Sequence, residues 1–266
     1  MSTHVHGMLA AGVEPLARRA AGDRVAEAAF WGLVAASTLI VGAVLSMVLP
    51  WRRRSIGLVA GFGAGALISA LTLDLTVSAF AAAGVPAVVV GLGGGAIAFS
   101  AGNWALHRGG AVRHRKRSTG QQAGADPLGI VLGTVLDGIP ESVVIGISLL
   151  AGEGVGLAFL AAVAISNLPE AISATSGLRR TGWTTRRVLG LWGIVAVVSA
   201  VSAGAGFAIL ASAPPEVAAT IQAFAAGAVL TMLADTMMPE AFEEAGPEAG
   251  LVTVLGYAIG ALLTLV

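Results

Sequence analysis

Two six-residue stretches of this chain are near-copies of each other, and each sets a carboxylate directly after a proline inside an apolar run. The first is Asp137-Gly138-Ile139-Pro140-Glu141-Ser142 and the second is Ser166-Asn167-Leu168-Pro169-Glu170-Ala171. On a helix, Asp137 and Glu141 share a face, as do Ser166 and Glu170, with Asn167 at three-residue spacing from Glu170. A proline inside a helix lacks the N–H that would bond the carbonyl four residues back. Those carbonyls belong to Leu136 and Ile165, so each copy frees a backbone oxygen beside its acid. Carboxylate, amide, hydroxyl and carbonyl oxygens are hard donors that suit Mg, Ca, Mn or Fe(II) and tolerate Zn. A charge in hydrocarbon costs about 2.5 kcal/mol or more. Two matched acids with Asp137 added therefore favour a cation site over a proline kink stabilised by one protonated glutamate.

Asp74 and Asp235 are weaker candidates: each lies toward the end of an apolar run and either faces a pathway or reaches an interface. Met47, Met232, Met237 and Met238 read as packing, the usual role of methionine in an apolar helix. His4 and His6 could catch a metal outside the cell, but a two-histidine tail reads better as an unstructured terminus.

The elements that hold these residues are membrane spans. Of 266 residues, 56% are hydrophobic and 11% charged, with mean hydropathy +0.87, whereas a soluble domain is about 45–50% apolar and about 25% charged. Thirty-seven glycines suit closely packed transmembrane helices. Zero net charge implies no nucleic-acid partner, and zero cysteines exclude disulfides, thiolate metal sites and cysteine nucleophiles. The apolar stretch after Arg18, Arg19 and Arg24 is too long for a signal-peptide core.

A span needs about 20 apolar residues. The chain offers eight: Phe30–Leu49, Ile56–Phe80, Val85–Leu106, Pro127–Ala151, Val155–Leu178, Thr185–Ala211, Pro215–Met238 and Ala249–Val266. Residues 1–29 form an extracytoplasmic N-terminal segment, residues 30–266 the transmembrane domain, and the basic stretch His107–Asp126 a flexible cytoplasmic linker that serves topology and lipid headgroups. Arg52–Arg54, the basic cluster Arg108–Arg117, and Arg179, Arg180, Arg186 and Arg187 fall in loops of one parity, which places those loops inside and both termini outside. The loop after the seventh span holds Glu240, Glu243, Glu244 and Glu248, and acids weigh little in this rule.

The two Pro-Glu copies sit in adjacent, hence antiparallel, spans. Gly65-Ala66-Leu67-Ile68-Ser69-Ala70-Leu71-Thr72-Leu73-Asp74 in the second span also resembles Gly227-Ala228-Val229-Leu230-Thr231-Met232-Leu233-Ala234-Asp235 in the seventh. Both pairs fit an inverted repeat in which spans one to three match six to eight and four matches five. Chance likeness of Gly/Ala/Leu-rich helices is the rival account for the second pair. Inverted repeats are a mark of transporters, whose sites lie near the midplane on broken helices.

From about Phe30 to Val266 the chain resembles the ZIP (Zrt/Irt-like) divalent-metal transporters, in a divergent bacterial form. The resemblance rests on the two Pro-Glu motifs and on Asp235-Thr236-Met237-Met238-Pro239-Glu240 at the end of the seventh span. It implies an all-α polytopic membrane protein of eight helices in a 3+2+3 inverted arrangement, with both termini outside and a metal site, often binuclear, between helices four and five. By the same resemblance Glu141 and Glu170 are the metal-coordinating glutamates, and Pro140 and Pro169 the kink prolines. Asp137 stands where the family's first motif has histidine, Gly138 where it has a ligand asparagine, and Ser166 and Asn167 where the second has His/Gln and Glu/Asp. The sixth span, over residues 188–201, lacks the acid that some members give to a second metal.

The expected function is transport of divalent cations of the zinc, manganese, iron or cobalt class toward the cytoplasm, across a plasma or bacterial inner membrane. The ligands are Asp137, Glu141, Ser166, Asn167 and Glu170, with Asp74 and Asp235 along the pathway. The metal is cargo and no cofactor is expected. Gly61, Gly63 and Gly65 would permit a homodimer. One rival is a ZIP-fold homologue whose altered site handles protons, another solute or regulation. A remote one is an intramembrane aspartyl protease using Asp74 and Asp235. That chemistry's Gly-x-Gly-Asp setting is missing, as are Walker, His-Glu-x-x-His and Gly-x-Ser-x-Gly motifs.

Overall fold

The structure, a computed structural model, describes residues 2–108, 127–151 and 155–265, with side chains described over 22–105, 133–150 and 155–264. The expected linker falls almost wholly outside the described residues. Among those described, every regular element is helical: α1 (Ser2–Val48), α2 (Arg53–Ala70), α3 (Val77–Arg108), α4 (Pro127–Ser148), α5 (Leu157–Arg180), α6 (Thr185–Leu210), α7 (Pro215–Met232), α8 (Met238–Ala245) and α9 (Glu248–Leu265). Two π-helical segments, π1 (Leu71–Thr76) and π2 (Leu233–Met237), join α2 to α3 and α7 to α8 without a break. A short 3₁₀ turn, Leu149–Ala151, follows α4.

Among the described residues, five runs are long and apolar enough to cross a bilayer: Gly22–Val48, Arg53–Ala105, Leu157–Arg180, Thr185–Leu210 and Pro215–Ala245. The Arg53–Ala105 run has 53 residues. Straight, it would reach about 80 Å, against about 30 Å of hydrocarbon. It breaks at Gly84, whose φ of 73° and ψ of −175° are not helical. A glycine takes that conformation without the Cβ penalty. The break falls between the expected second and third spans.

Two expectations change. The first helix does not begin at Phe30 but runs from Ser2, through an alanine-rich stretch that includes Pro15. The acids after the seventh span are not in a loop. Helix continues past Met238 to Ala245 and stops at Gly246, whose φ is 67°. Pro239 does not end it, and lies two residues past the last residue of π2.

Side-chain bonds fix which helix ends lie together. The Ser46 and Ser176 hydroxyls are 3.0 Å apart, and Arg54 pairs with Glu248 at 2.7 Å. The C-terminal ends of α1 and α5 therefore share one end of the bundle with the start of α9. The exposed Arg52, Arg53, Arg54, Arg179, Arg180, Arg186 and Arg187 cluster there. At the other end Arg24 donates to the Leu149 carbonyl at 2.9 Å and lies over the Phe207 ring. Arg24 thus caps the chain after α4.

The main packing pairs are α1 with α6 and α5, α4 with α6 and α7, α2 with α9, α5 and α8, and α3 with α7. Exchanging α1 with α6, α2 with α7, α3 with α9 and α4 with α5 preserves every pair except α2 with α8. Glycines set two of the contacts in the same way. A Cβ on Gly65 would strike the Thr253 carbonyl oxygen and one on Gly256 that of Phe62; a Cβ on Gly227 would strike that of Leu92 and one on Gly95 that of Phe224. Each π segment opens six residues beyond its clasp glycine, Gly65 or Gly227, and each helical rod ends at a positive-φ glycine, Gly84 or Gly246.

These clasps leave no room for a methyl group. Gly227→Ala should melt well below wild type in detergent, since overpacking typically costs about 1–3 kcal/mol. Gly93→Ala, whose Cβ would meet nothing within 4 Å, should melt as wild type does; equal melting of the two variants would contradict the clasp.

Candidate functional site

Both Pro-Glu motifs lie in helices that run unbroken through their prolines. On α4, Asp137 is 1% exposed and Glu141 5%. Ser142 Oγ donates to the Gly138 carbonyl at 2.7 Å. Small residues bring this face against α6: a Cβ on Gly138 would lie 3.9 Å from Ser199 Oγ, and Gly146 and Gly206 meet the backbone of Ala203 and Val143.

On α5, Ser166 and Asn167 are buried and Glu170 is half-buried. Ser166 Oγ donates to the Val163 carbonyl at 2.9 Å. Asn167 Nδ2 donates to the Ala35 carbonyl of α1 at 3.1 Å, which orients the amide and leaves Oδ1 as its accepting atom. Gly63 of α2 lets the backbone at Ser166 approach closely. Ser166 and Asn167 are thus held by neighbouring helices, one presenting a small residue and the other a backbone carbonyl.

Two cavities flank this layer. A vestibule of about 760 Å³ lies at the end away from the arginines, among the outer parts of α4, α5, α7 and α9; Val144, Ser148, Phe159 and Gln222 line it. On α4, Glu141 is one turn below Val144, about 4.5 Å along the axis. Asp74, in π1, also lines the vestibule and is hydrogen-bonded to Thr264. Gln222 Nε2 donates to the Leu75 carbonyl of π1 at 3.2 Å.

At the arginine-rich end a cavity of about 20 Å³ is lined by Glu170, Glu240 and Glu244 together with Pro169, Ala60 and Met237. That volume holds about one water. Ser173 Oγ donates to Glu240 Oε1 at 3.2 Å. Glu240 and Glu244 were missed as site residues because their segment read as a loop. Their four-residue spacing, with Ala241 and Ala245 buried beside them and Gly246 as the stop, is the helical signal that would have found them.

Asp137, Glu141, Ser166 and Asn167 are thus buried between the two cavities, and Glu170 lines the small one. Among the described residues, no three His, Cys, Asp or Glu side chains gather into a group that could hold a metal. Asp235 lies exposed on π2. Met232 and Met237 both belong to the buried core, and Met237 also lines the small cavity. The side chains of His4, His6, His107 and His114 lie outside those described.

Buried acids in an all-helical, membrane-crossing bundle are what a cation transporter requires. The family model for the ZIP zinc transporters matches residues 107–266, which contain both Pro-Glu motifs. The chain belongs to the ZIP zinc transporter family. It is a multi-pass membrane protein of a family that carries divalent metal ions, and a transporter rather than an enzyme. A comparison with curated proteins found no match.

Proposed function

We propose that this protein carries a divalent cation of the zinc, manganese, iron or cobalt class toward the cytoplasm, using Asp137, Glu141, Ser166, Asn167 and Glu170 as ligands. The observation that carries this is the burial of Asp137 and Glu141 to 1% and 5% exposure directly beneath a vestibule of about 760 Å³. An acid kept out of water and out of lipid is expensive unless hydrogen bonds, an ion or a proton offset its charge. Asp74 stands in the vestibule as a first oxygen for an arriving ion, and Asp235 is proposed for the opposite half of the route.

The proposed architecture is eight spans in a 3+2+3 inverted repeat. The exchangeable packing pairs, the paired glycine clasps and the paired π segments support it. With the arginine-rich end inside, both termini face out and the vestibule is extracytoplasmic, in the cell membrane. Transport follows if the bundle of α1, α4, α5 and α6 moves against the helices around α2, α3, α7 and α9, so that the acids face each side in turn.

Glu141→Ala and Glu170→Ala should each abolish divalent-metal uptake into proteoliposomes while the protein still inserts and purifies. Wild-type uptake by both variants would remove the shared site. If wild type moved protons or another solute, and no metal, the chain would be a homologue with a different cargo.

Selectivity provides a second test. Carboxylate and carbonyl oxygens suit Mn and Fe(II), whereas imidazole suits Zn. Asp137→His combined with Gly138→Asn should raise the Zn-to-Mn uptake ratio; an unchanged ratio would show that Asp137 is not a ligand. Wild-type uptake should also fall as the medium is acidified, because protons compete for the same lone pairs.

A further inference from the structure

Hydroxyls within the helices of this chain commonly donate to the carbonyl four residues back, as those of Thr72 and Ser142 do at 2.7 Å and those of Thr231 and Thr253 at 2.8 Å. This is the local bond that serine and threonine ordinarily make inside a helix. Thr134 of α4 departs from the pattern. It is 3% exposed, and its Oγ1 is buried with no hydrogen-bond partner. A hydroxyl taken out of water and left unpaired is destabilising, so protein interiors contain few of them. Among the described residues one other hydroxyl, Ser69 Oγ, is in the same condition. Ser69 lies at the close crossing of α2 with Gly260 of α9, on a helix that carries neither Pro-Glu motif.

The position of Thr134 gives its hydroxyl a use. It stands three residues before Asp137 and seven before Glu141. A seven-residue step is two helical turns with a drift of about 20°. Thr134, Glu141 and Ser148 therefore form one stripe of oxygen-bearing side chains along α4, with Asp137 beside it. Ser148 lines the vestibule. From there the stripe runs about 10.5 Å along the axis to Glu141 and about 10.5 Å more to Thr134, which is about 4.5 Å past Asp137 toward the arginine-rich end. On α5 a hydroxyl also follows one turn past the acid: Ser173, three residues beyond Glu170, is 1% exposed and donates to Glu240 Oε1 at 3.2 Å.

We propose that Thr134 Oγ1 is a further oxygen ligand on the cation's route, receiving the ion from Asp137 on the side of the arginine-rich end. This rests on reading the Pro-Glu layer as a divalent-cation site. A hydroxyl offers lone pairs to a hard cation but no charge, so it holds an ion less tightly than the acids do. It can stabilise an ion that is leaving Asp137 without retaining it, which another carboxylate at this position would do. The unpaired Oγ1 suits the role, because no hydrogen bond has to break before the ion arrives.

Thr134→Val keeps the shape of the side chain and removes the hydroxyl. In proteoliposomes its maximal rate of Mn²⁺ uptake should fall about tenfold, the lower end of what losing a supporting contact at a metal site costs. The external Mn²⁺ concentration giving half-maximal uptake should not rise, because the acids that first hold the ion are untouched. Thr134→Ser, which restores a hydroxyl, should transport as wild type does. Metal-free Thr134→Val should melt in detergent at or above the wild-type temperature, since valine leaves no buried hydroxyl unpaired. Uptake by Thr134→Val at the wild-type rate would overturn the assignment. So would slow uptake by Thr134→Ser, or melting of Thr134→Val below wild type, either of which makes this a packing position. The failures are distinguishable. A wild-type protein that takes up neither Mn²⁺ nor Zn²⁺ removes the cation site and this ligand with it, whereas full-rate uptake by Thr134→Val beside an active wild type removes Thr134 alone.

Discussion

The cost of a carboxylate inside hydrocarbon governs the arrangement of this protein. At about 2.5 kcal/mol or more for each acid, Asp137 and Glu141 cannot face lipid. The helices α1, α2 and α6 close around α4 and α5 at the level of the two Pro-Glu motifs, and the structure shows how such close approach is achieved. Gly63 lies against Ser166, Gly138 beside Ser199, and Gly146 and Gly206 against the opposing backbones. Without small residues at these crossings the helices would stand further apart, and lipid or water would reach the acids.

The same reasoning accounts for what surrounds the acids. Asn167 spends its amide donor on the Ala35 carbonyl, and Ser166 its proton on Val163. Both side chains are held in place with their oxygen lone pairs still able to meet a cation. The prolines contribute differently: each removes one backbone donor and leaves α4 or α5 otherwise continuous, so an oxygen is gained without a break in the helix.

Much of this was legible in the sequence. The apolar runs placed the helices, because hydrocarbon leaves the backbone few alternatives, and Gly84 falls at the expected turn between two runs. The two Pro-Glu motifs were legible because proline and glutamate are so rare within spans that a repeat of both stands out. The helical extension Met238–Ala245 was not, since four acids and a proline resemble a loop. Only the fold shows that Glu240 and Glu244 turn inward beside Glu170. The length of α1 was hidden for a related reason: its first half, with Pro15 and three glycines among its charges, reads as a tail. The likeness between helices two and seven was visible, but aligning the two aspartates obscured its register. The clasp glycines set that register, because close backbone contact tolerates no shift of one residue, whereas an acid facing open space does.

The central claim is that one divalent ion is held by the oxygens of α4 and α5 in the middle of the membrane. Anomalous diffraction from crystals of the purified protein grown with Mn²⁺ tests it most directly. The account predicts an anomalous peak between the Glu141 and Glu170 carboxylates, with Asp137, Ser166 or Asn167 completing an all-oxygen shell. A fully occupied peak elsewhere, with none between those two glutamates, would contradict it.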